Sequence, residues 1–235
     1  MNISVVIPVY NEEQQLEWSV NKVLEVCKKN YDNFEILIAD NASKDKTLEI
    51  AKRLSKTYKQ VKFIHLDQKG RGRILKKAWM MTDADIMCYM DVDLSTDMKH
   101  LKELTDTIEN GYDIAFGSRH EKESELERSF KRDILSRGYV CLLKFFLGVH
   151  FSDAQCGFKA ISRKVAKELI PKIKDNEWFF DTELLVKGER LGYKLRKVPV
   201  KWTEEKGSTV QIRKTIINYL KNMFKLKKEL SKWKI

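Results

Sequence analysis

Between residues 3 and 117 short apolar runs alternate with segments of helical periodicity, and this alternation narrows the fold more than any other feature. Residues 3–9, 34–39, 61–66, 86–90 and 113–117 are apolar and strand-like in length. Between them, residues 12–29 carry Leu16, Val20, Val23, Leu24 and Cys27 at spacings of three and four, as one face of a helix does. Residues 45–58, a stretch from the basic loop 69–73 through Met81, and residues 98–110 are also expected to be helical. Strands that alternate with helices in this way predict an α/β domain with a mostly parallel sheet and helices on both faces.

The regularity weakens after Arg119. Residues 120–133 are dense in charge and read as a mobile loop, and residues 134–147 as an apolar helix. A strand near residues 157–161, a helix after Ser162, a helix over 181–191 and a strand over 194–200 are expected next. From Ile212 the tail repeats Ile216, Tyr219, Leu220, Met223, Leu226, Leu230 and Trp233 at helical spacing, with lysines between them. Two units are expected: a domain over residues 1–210 and a basic amphipathic helix over 211–235.

The net charge is +11, but residues 211–235 hold eight basic residues against one acid, Glu229. Such a tail seeks phosphates, on lipid or on nucleic acid. A hydrophobic content of 43% supports a sizeable core. No run approaches the roughly 18 apolar residues of a membrane span. The first residues have neither the basic region nor the cleavage site of a signal peptide. Cys27, Cys88, Cys141 and Cys156 lie far apart without a CxxC pair, which predicts free thiols in a reducing cytoplasm. The four histidines show no metal-ligand spacing.

In an open parallel sheet, ligands bind beyond the carboxyl ends of the strands. Asp91 and Asp93 close the apolar run 86–90, and Asp40 closes the run 34–39, so all three are expected at that edge. Ionised carboxylates at the end of a buried strand are costly unless paired or metal-bound. Asp91 and Asp93 either form a turn or helix-capping pair or hold a hard cation such as Mg²⁺, whose shell phosphates complete. Asp83 and Asp85 precede their strand and are expected at the opposite edge. Pro8, Tyr10 and Glu12 follow the first strand, where an aromatic ring can stack on a base and helix amides can meet phosphate, or where the chain simply caps a helix. Lys69, Gly70 and Gly72 lie in a basic loop suited to a pyrophosphate, since glycines allow close approach, or to an ordinary surface turn. Arg119, Arg132, Ser136 and Arg137 form a second basic group suited to a phosphate. Arg128 and Lys131 read as solvated. Asp181 either opens a helix or faces a reacting group.

These motifs, in order, resemble family 2 glycosyltransferases of GT-A fold. The likeness rests on the stretch from Val5 to Glu13, on Asp40-Asn41-Ala42-Ser43-Lys44-Asp45 and on Asp91-Val92-Asp93. Gly117-Ser118-Arg119, Ser136-Arg137-Gly138-Tyr139, the stretch from Asp153 to Lys159 and the stretch from Phe180 to Leu185 resemble dolichyl-phosphate hexose synthases. Residues 202–208 are closer to the glucosyl than to the mannosyl branch. The resemblance implies that Pro8, Tyr10, Glu12, Asp40 and the loop of Lys69, Gly70 and Gly72 contact the nucleotide. It implies that Asp91 and Asp93 bind Mg²⁺ or Mn²⁺ with the donor diphosphate, and that Arg119, Arg132, Ser136 and Arg137 hold an acceptor phosphate. Gln155 and Asp181 would line the sugar site. Ser95 stands where the mannosyl branch often has Gln, so water would replace that ligand. Asn41 stands where many relatives have Asp. Many relatives also carry transmembrane helices, so the basic tail becomes the candidate membrane contact of a peripheral enzyme on the cytoplasmic face, or else a helix packed on the domain with its lysines in water.

The expected reaction is inverting transfer of a hexose from a nucleotide sugar, with UDP-glucose favoured, to a polyprenyl or dolichyl phosphate. GDP-mannose as donor, a saccharide hydroxyl as acceptor, and a nucleic-acid-binding module are the alternatives. The last has no recognised motif behind it, so no nucleic-acid partner is expected.

Overall fold

The structure is a computed structural model that describes residues 1–204 and 212–233. The expected boundary at residues 210 and 211, and residues 205–208 of the glucosyl-like motif, lie outside them. Five strands come first in the chain: β1 (Ile3–Val9), β2 (Phe34–Asn41), β3 (Val61–Leu66), β4 (Ile86–Met90) and β5 (Ile114–Ser118). Four helices alternate with them: α1 (Leu16–Asn30), α2 (Thr47–Thr57), α3 (Arg71–Met81) and α4 (His100–Glu109). Later come β6 (Glu125–Glu127), α5 (Phe130–Leu147), β7 (Phe158–Ser162), α6 (Arg163–Glu168), α7 (Phe180–Arg190), β8 (Leu195–Pro199), β9 (Lys201–Thr203) and α8 (Ile212–Leu230).

Seven strands form one sheet in the order β3-β2-β1-β4-β7-β5-β8. Only β7 runs antiparallel to its neighbours. Alternate residues of each strand feed opposite layers, as the pleat requires. Val6, Leu37, Ala39, Met87 and Tyr89 join α3, α5, α6, α7 and α8 on one face. Val5, Ile7, Ile36, Ile38, Cys88 and Met90 join α1, α2 and α4 on the other. Burial on both faces explains why these strands are apolar runs rather than alternating ones. The α/β expectation and the mostly parallel sheet stand.

The region after Arg119 differs from its reading as a loop. Residues 125–127 pair in parallel with β9, and α5 begins at Phe130 rather than residue 134. Charge density hid this two-stranded sheet. Its outer residues Glu125 and Glu127 are exposed, so no apolar alternation marks it.

Among the described residues, three non-glycine residues adopt left-handed backbone: Asn11 (φ 57°), Ala42 (φ 65°) and Leu94 (φ 51°). They follow β1, β2 and β4 at the sheet's carboxyl edge. Such conformations cost about 1–3 kcal/mol each and persist where surrounding bonds fix them. Here they are fixed: the Asn11 amide donates to Ser43 Oγ at 2.9 Å and the Lys44 amide to Asn11 Oδ1 at 2.8 Å.

Candidate active site

The carboxyl edge of the central strands gathers the first group of expected residues. The amide of Asp91 donates to the Gly157 carbonyl at 3.1 Å, which ties the end of β4 to the turn before β7. A Cβ on Gly157 would lie 1.7 Å from Asp91 Oδ2, so the carboxylate occupies space that only glycine leaves open. Beyond it, Asp93 Oδ1 accepts the Ser95 amide at 2.9 Å. The Ser19 hydroxyl donates to the Val92 carbonyl, and the Thr203 amide to the Ser95 carbonyl at 2.9 Å. Residues 91–96 are therefore clamped between α1 and β9. Asp85 lies at the opposite edge, as expected, where its Oδ2 accepts the Asn2 amide at 2.9 Å.

Asp40 is fully buried at the end of β2, and its Oδ2 meets His65 Nδ1 at 2.5 Å. That bond raises the histidine's pKa. The other oxygen, Oδ1, is buried and has no hydrogen-bond partner among the described residues. Close by, Lys69 Nζ stands 3.2 Å from the centre of the Tyr10 ring. Pro8 is buried within β1 opposite Ala39, past the point where β1 pairs with β4, so its missing N–H costs that ladder nothing. The Glu12 amide donates to Thr47 Oγ1 at 2.8 Å, which joins the first two loops.

The glycines of the basic loop do different work from that expected. A Cβ on Gly70 would meet the Asn176 carbonyl at 2.7 Å, and one on Gly72 would meet Phe180 Cβ at 2.6 Å. They let α3 approach residues 175–180, and their open side is taken by protein. The Gly70 amide is likewise engaged, donating to Asn41 Oδ1 at 2.6 Å.

A buried charge network lies between this edge and α7. Arg71, which the sequence placed in the basic loop without a role of its own, is its centre. Its Nη2 donates to Asp91 Oδ1 at 2.6 Å, and its Nε stands 4.0 Å from Asp181 Oδ2. The guanidinium carbon lies 4.7 Å from the Trp178 ring centre. Burial opposes its charge, but Asp91, Tyr89 and Asp181 hold its pKa above the ordinary value. Asp181 Oδ1 accepts from the Tyr89 hydroxyl and lies 3.0 Å from the Nζ of fully buried Lys159. Asp181 is thus the counter-ion of a lysine and an arginine, and it does not cap α7, whose N-cap is Phe179. Lys159 and Tyr89 were also missed, because each sits inside an apolar strand where a sequence pattern reads core.

The second basic group is largely compensated internally. Arg119 Nε and Nη2 reach the two oxygens of buried Asp153 at 2.7 and 3.0 Å. Burial would raise the Asp153 pKa, but Arg119 holds it well below the usual carboxylate range. Arg132 donates to Glu204, Arg137 to Asp133 at 2.8 Å, and Ser136 Oγ meets His120 Nε2 at 3.1 Å. The four residues share one region, yet none is an empty-handed phosphate ligand.

The tail helix takes one of its two expected placements and packs on the domain. Tyr219, Met223 and Leu226 of α8 are buried against the domain. Tyr219 stacks on Tyr139 at 5.1 Å and donates to the Trp178 carbonyl at 3.2 Å. Its hydroxyl also bonds the Gln155 side chain. The face of α8 that carries Tyr219, Met223 and Leu226 is therefore occupied by the domain. Among the described residues no helix is long and apolar enough to cross a bilayer.

No group of three His, Cys, Asp or Glu among the described residues is placed to hold a metal. A cation at Asp91 and Asp93 would need other oxygens, as from a diphosphate and water. The pair fits that demand. The Asp91 side chain is 35% exposed, and its Oδ2 packs into the space that Gly157 leaves.

Residues 4–170 match the sequence profile of glycosyl transferase family 2. The chain belongs to that family. Glycosyltransferase AglD of Haloferax volcanii is 39% identical over 213 residues, covering 89% of this chain and 34% of AglD, so the chain spans about a third of that relative. A dolichyl-phosphate beta-glucosyltransferase of Dictyostelium discoideum is 30% identical, covering 96% of this chain and 77% of the relative. Among solved structures, glucosyl-3-phosphoglycerate synthase of Mycobacterium tuberculosis in complex with UDP superposes with a TM-score of 0.73 at 18% identity. That match covers 96% of this chain and 80% of the other. The same enzyme has been seen with Mn²⁺ and UDP-glucose, and with Mg²⁺ and UDP. At that identity the likeness establishes the GT-A fold. This family 2 member is a glycosyltransferase, and its Asp91 edge is the candidate active site.

Proposed function

We propose that the enzyme transfers glucose from UDP-glucose to a polyprenyl phosphate such as dolichyl phosphate, with inversion and with a divalent cation at Asp91 and Asp93. One observation carries this reading. A carboxylate turn suited to a metal–diphosphate and an arginine-rich region suited to a second phosphate are joined by the pairing of Thr96 with Trp202. The relatives named for dolichyl phosphate and the neighbour seen with UDP-glucose support it from outside the chain.

A bound cation would stabilise charge on the departing diphosphate. The chain's own residues do the rest. Arg71 holds Asp91 in place and lies ready to meet diphosphate oxygens. A phosphate monoester, with a second pKa near ~6, is already largely dianionic and needs no strong base. It needs alignment and charge compensation, which fixed cations supply. Asp181, bound by Lys159 and Tyr89, orients this network rather than taking a proton. Asp181→Asn is accordingly expected to retain measurable transfer. A loss of roughly 10²–10⁴-fold, the range that general base catalysis supplies, with donor binding intact, would restore Asp181 as the base.

The unpartnered Asp40 Oδ1 favours uracil, whose imide offers one N–H. Guanine offers two adjacent donors, and His65 already holds the second oxygen. UDP is expected to bind at least roughly tenfold tighter than GDP, a difference of about 1.4 kcal/mol. Equal affinities in calorimetry would contradict this.

A lipid-borne acceptor calls for contact with a bilayer. On α5, Phe130, Ile134, Leu142 and Phe145 form an exposed stripe, continued by Ile217 and Phe224 of α8. Phe146 joins Phe145 to Phe224 through edge contacts of 5.2 and 5.5 Å, and Lys227 stands 5.4 Å from its ring. An apolar stripe flanked by lysines suits an anionic membrane surface. Phe130→Ser combined with Phe145→Ser is expected to weaken binding to anionic vesicles by roughly tenfold or more. Unchanged co-sedimentation would remove this face from the account.

A further inference from the structure

The cluster around Trp202 contains one cation without an anion. Arg119 is committed to Asp153 and Arg132 to Glu204. Arg128, between β6 and α5, is different: its Nε and Nη1 are buried and have no hydrogen-bond partner among the described residues. Its guanidinium carbon lies 5.4 Å from the Trp202 ring centre, and so does that of Arg119. The charges that act on Arg128 are Arg119 and Arg132, which repel it, and Glu204 and Asp153, which attract it. Both carboxylates are already engaged, so three guanidinium groups share two anions. Unsatisfied buried donors on a charged group are costly, and evolution of a fold removes them unless a ligand fills the place.

We propose that Arg128 is the residue that grips the acceptor's phosphate, with Arg119 and Arg132 held rigid beside it by their own carboxylates. This rests on the reading above that the acceptor is a phosphate monoester. Nε–H and the Nη1 hydrogens point to different edges of the guanidinium, so each meets a phosphate oxygen singly, and the uncompensated charge of the group suits a dianion. Trp202 supports the guanidinium face. The strand β9 that carries Trp202 also binds residues 95 and 96 through its backbone, so the gripped phosphate stands beside the Asp91–Asp93 turn. The expected ligands Arg119 and Arg132 thus become the frame, and the arginine read as solvated becomes the contact.

The test is steady-state kinetics of the full chain with UDP-glucose and a short-chain polyprenyl phosphate, comparing Arg128→Gln and Arg128→Lys with the parent. The KM for the acceptor should rise roughly tenfold or more in Arg128→Gln and less in Arg128→Lys, with the donor KM held within about twofold. Inorganic phosphate, tested as a competitor of the acceptor, should lose inhibition by a similar factor if the headgroup alone is recognised. Loss of the lipid effect without loss of the inorganic phosphate effect would place the grip on the chain rather than the headgroup and overturn the proposal. Unchanged acceptor KM in a folded variant would also overturn it. Arg128→Lys decides the matter if Arg128→Gln fails to fold. A parent enzyme that transfers to a saccharide hydroxyl and ignores polyprenyl phosphate would instead defeat the phosphate-acceptor reading, and this inference with it.

Discussion

Asp93→Asn should lower glucosyl transfer by about a thousandfold, and Asp91→Asn by at least as much. A metal ion contributes several kcal/mol of charge stabilisation to a departing diphosphate, and each ~1.4 kcal/mol is a factor of ten in rate. Amide replacement keeps the shape of each side chain and removes the anion. Asp91 carries a second duty, because it is the direct partner of Arg71 at 2.6 Å. Its loss frees a buried guanidinium to bind phosphate without a cation. Asp91→Asn should therefore keep affinity for UDP alone while losing the enhancement by Mn²⁺, and calorimetry with and without the metal separates the two. Asp85→Asn is the control. It lies at the opposite edge of the sheet, bonded to the Asn2 amide, and its transfer rate should stay within about twofold of the parent. Near-normal transfer by Asp93→Asn would remove the metal from this turn.

The second large effect is on stability. Lys159 is fully buried on β7, and its Nζ lies 3.0 Å from Asp181 Oδ1, 3.4 Å from the Tyr89 hydroxyl and 2.7 Å from the Cys156 carbonyl. Lys159→Met preserves much of the volume but strands Asp181 and a carbonyl without their cation. Breaking a buried pair on one side typically costs about 3–5 kcal/mol. For a domain of this size each kcal/mol moves Tm by roughly 2–4 °C, so a drop of about 10 °C is expected. Adding Asp181→Asn to Lys159→Met should recover part of that loss, since the amide needs no counter-ion. Additive losses in the double variant would mean that the pair is not coupled.

The sheet and its helices were legible because both-face burial writes strands as apolar runs and amphipathic helices as three-and-four spacing. Asp40, Asp91 and Asp93 were legible for a related reason, as they terminate those runs at the ligand-binding edge. What escaped was tertiary pairing. Arg71 looked like one of several cations in a loop, and only the fold brings it to Asp91 and Trp178. Lys159 and Tyr89 lay inside strands whose pattern says core. Arg119 and Arg132 matched a family motif, but motifs do not say which carboxylates lie opposite. The tail's periodicity was read correctly as amphipathic. Its partner stayed open in the sequence, because a lipid surface and the side chains of Tyr139 and Phe179 present similar apolar contact to a helix.

The account stands most directly on one assay: radiolabelled UDP-glucose, polyprenyl phosphate and Mn²⁺ incubated with the full chain, followed by extraction of the lipid phase. It predicts a glucosyl-phospho-lipid with β linkage, abolished by a chelator and restored by added metal. Transfer of label to a saccharide hydroxyl in preference to polyprenyl phosphate, or transfer indifferent to the chelator, would contradict it.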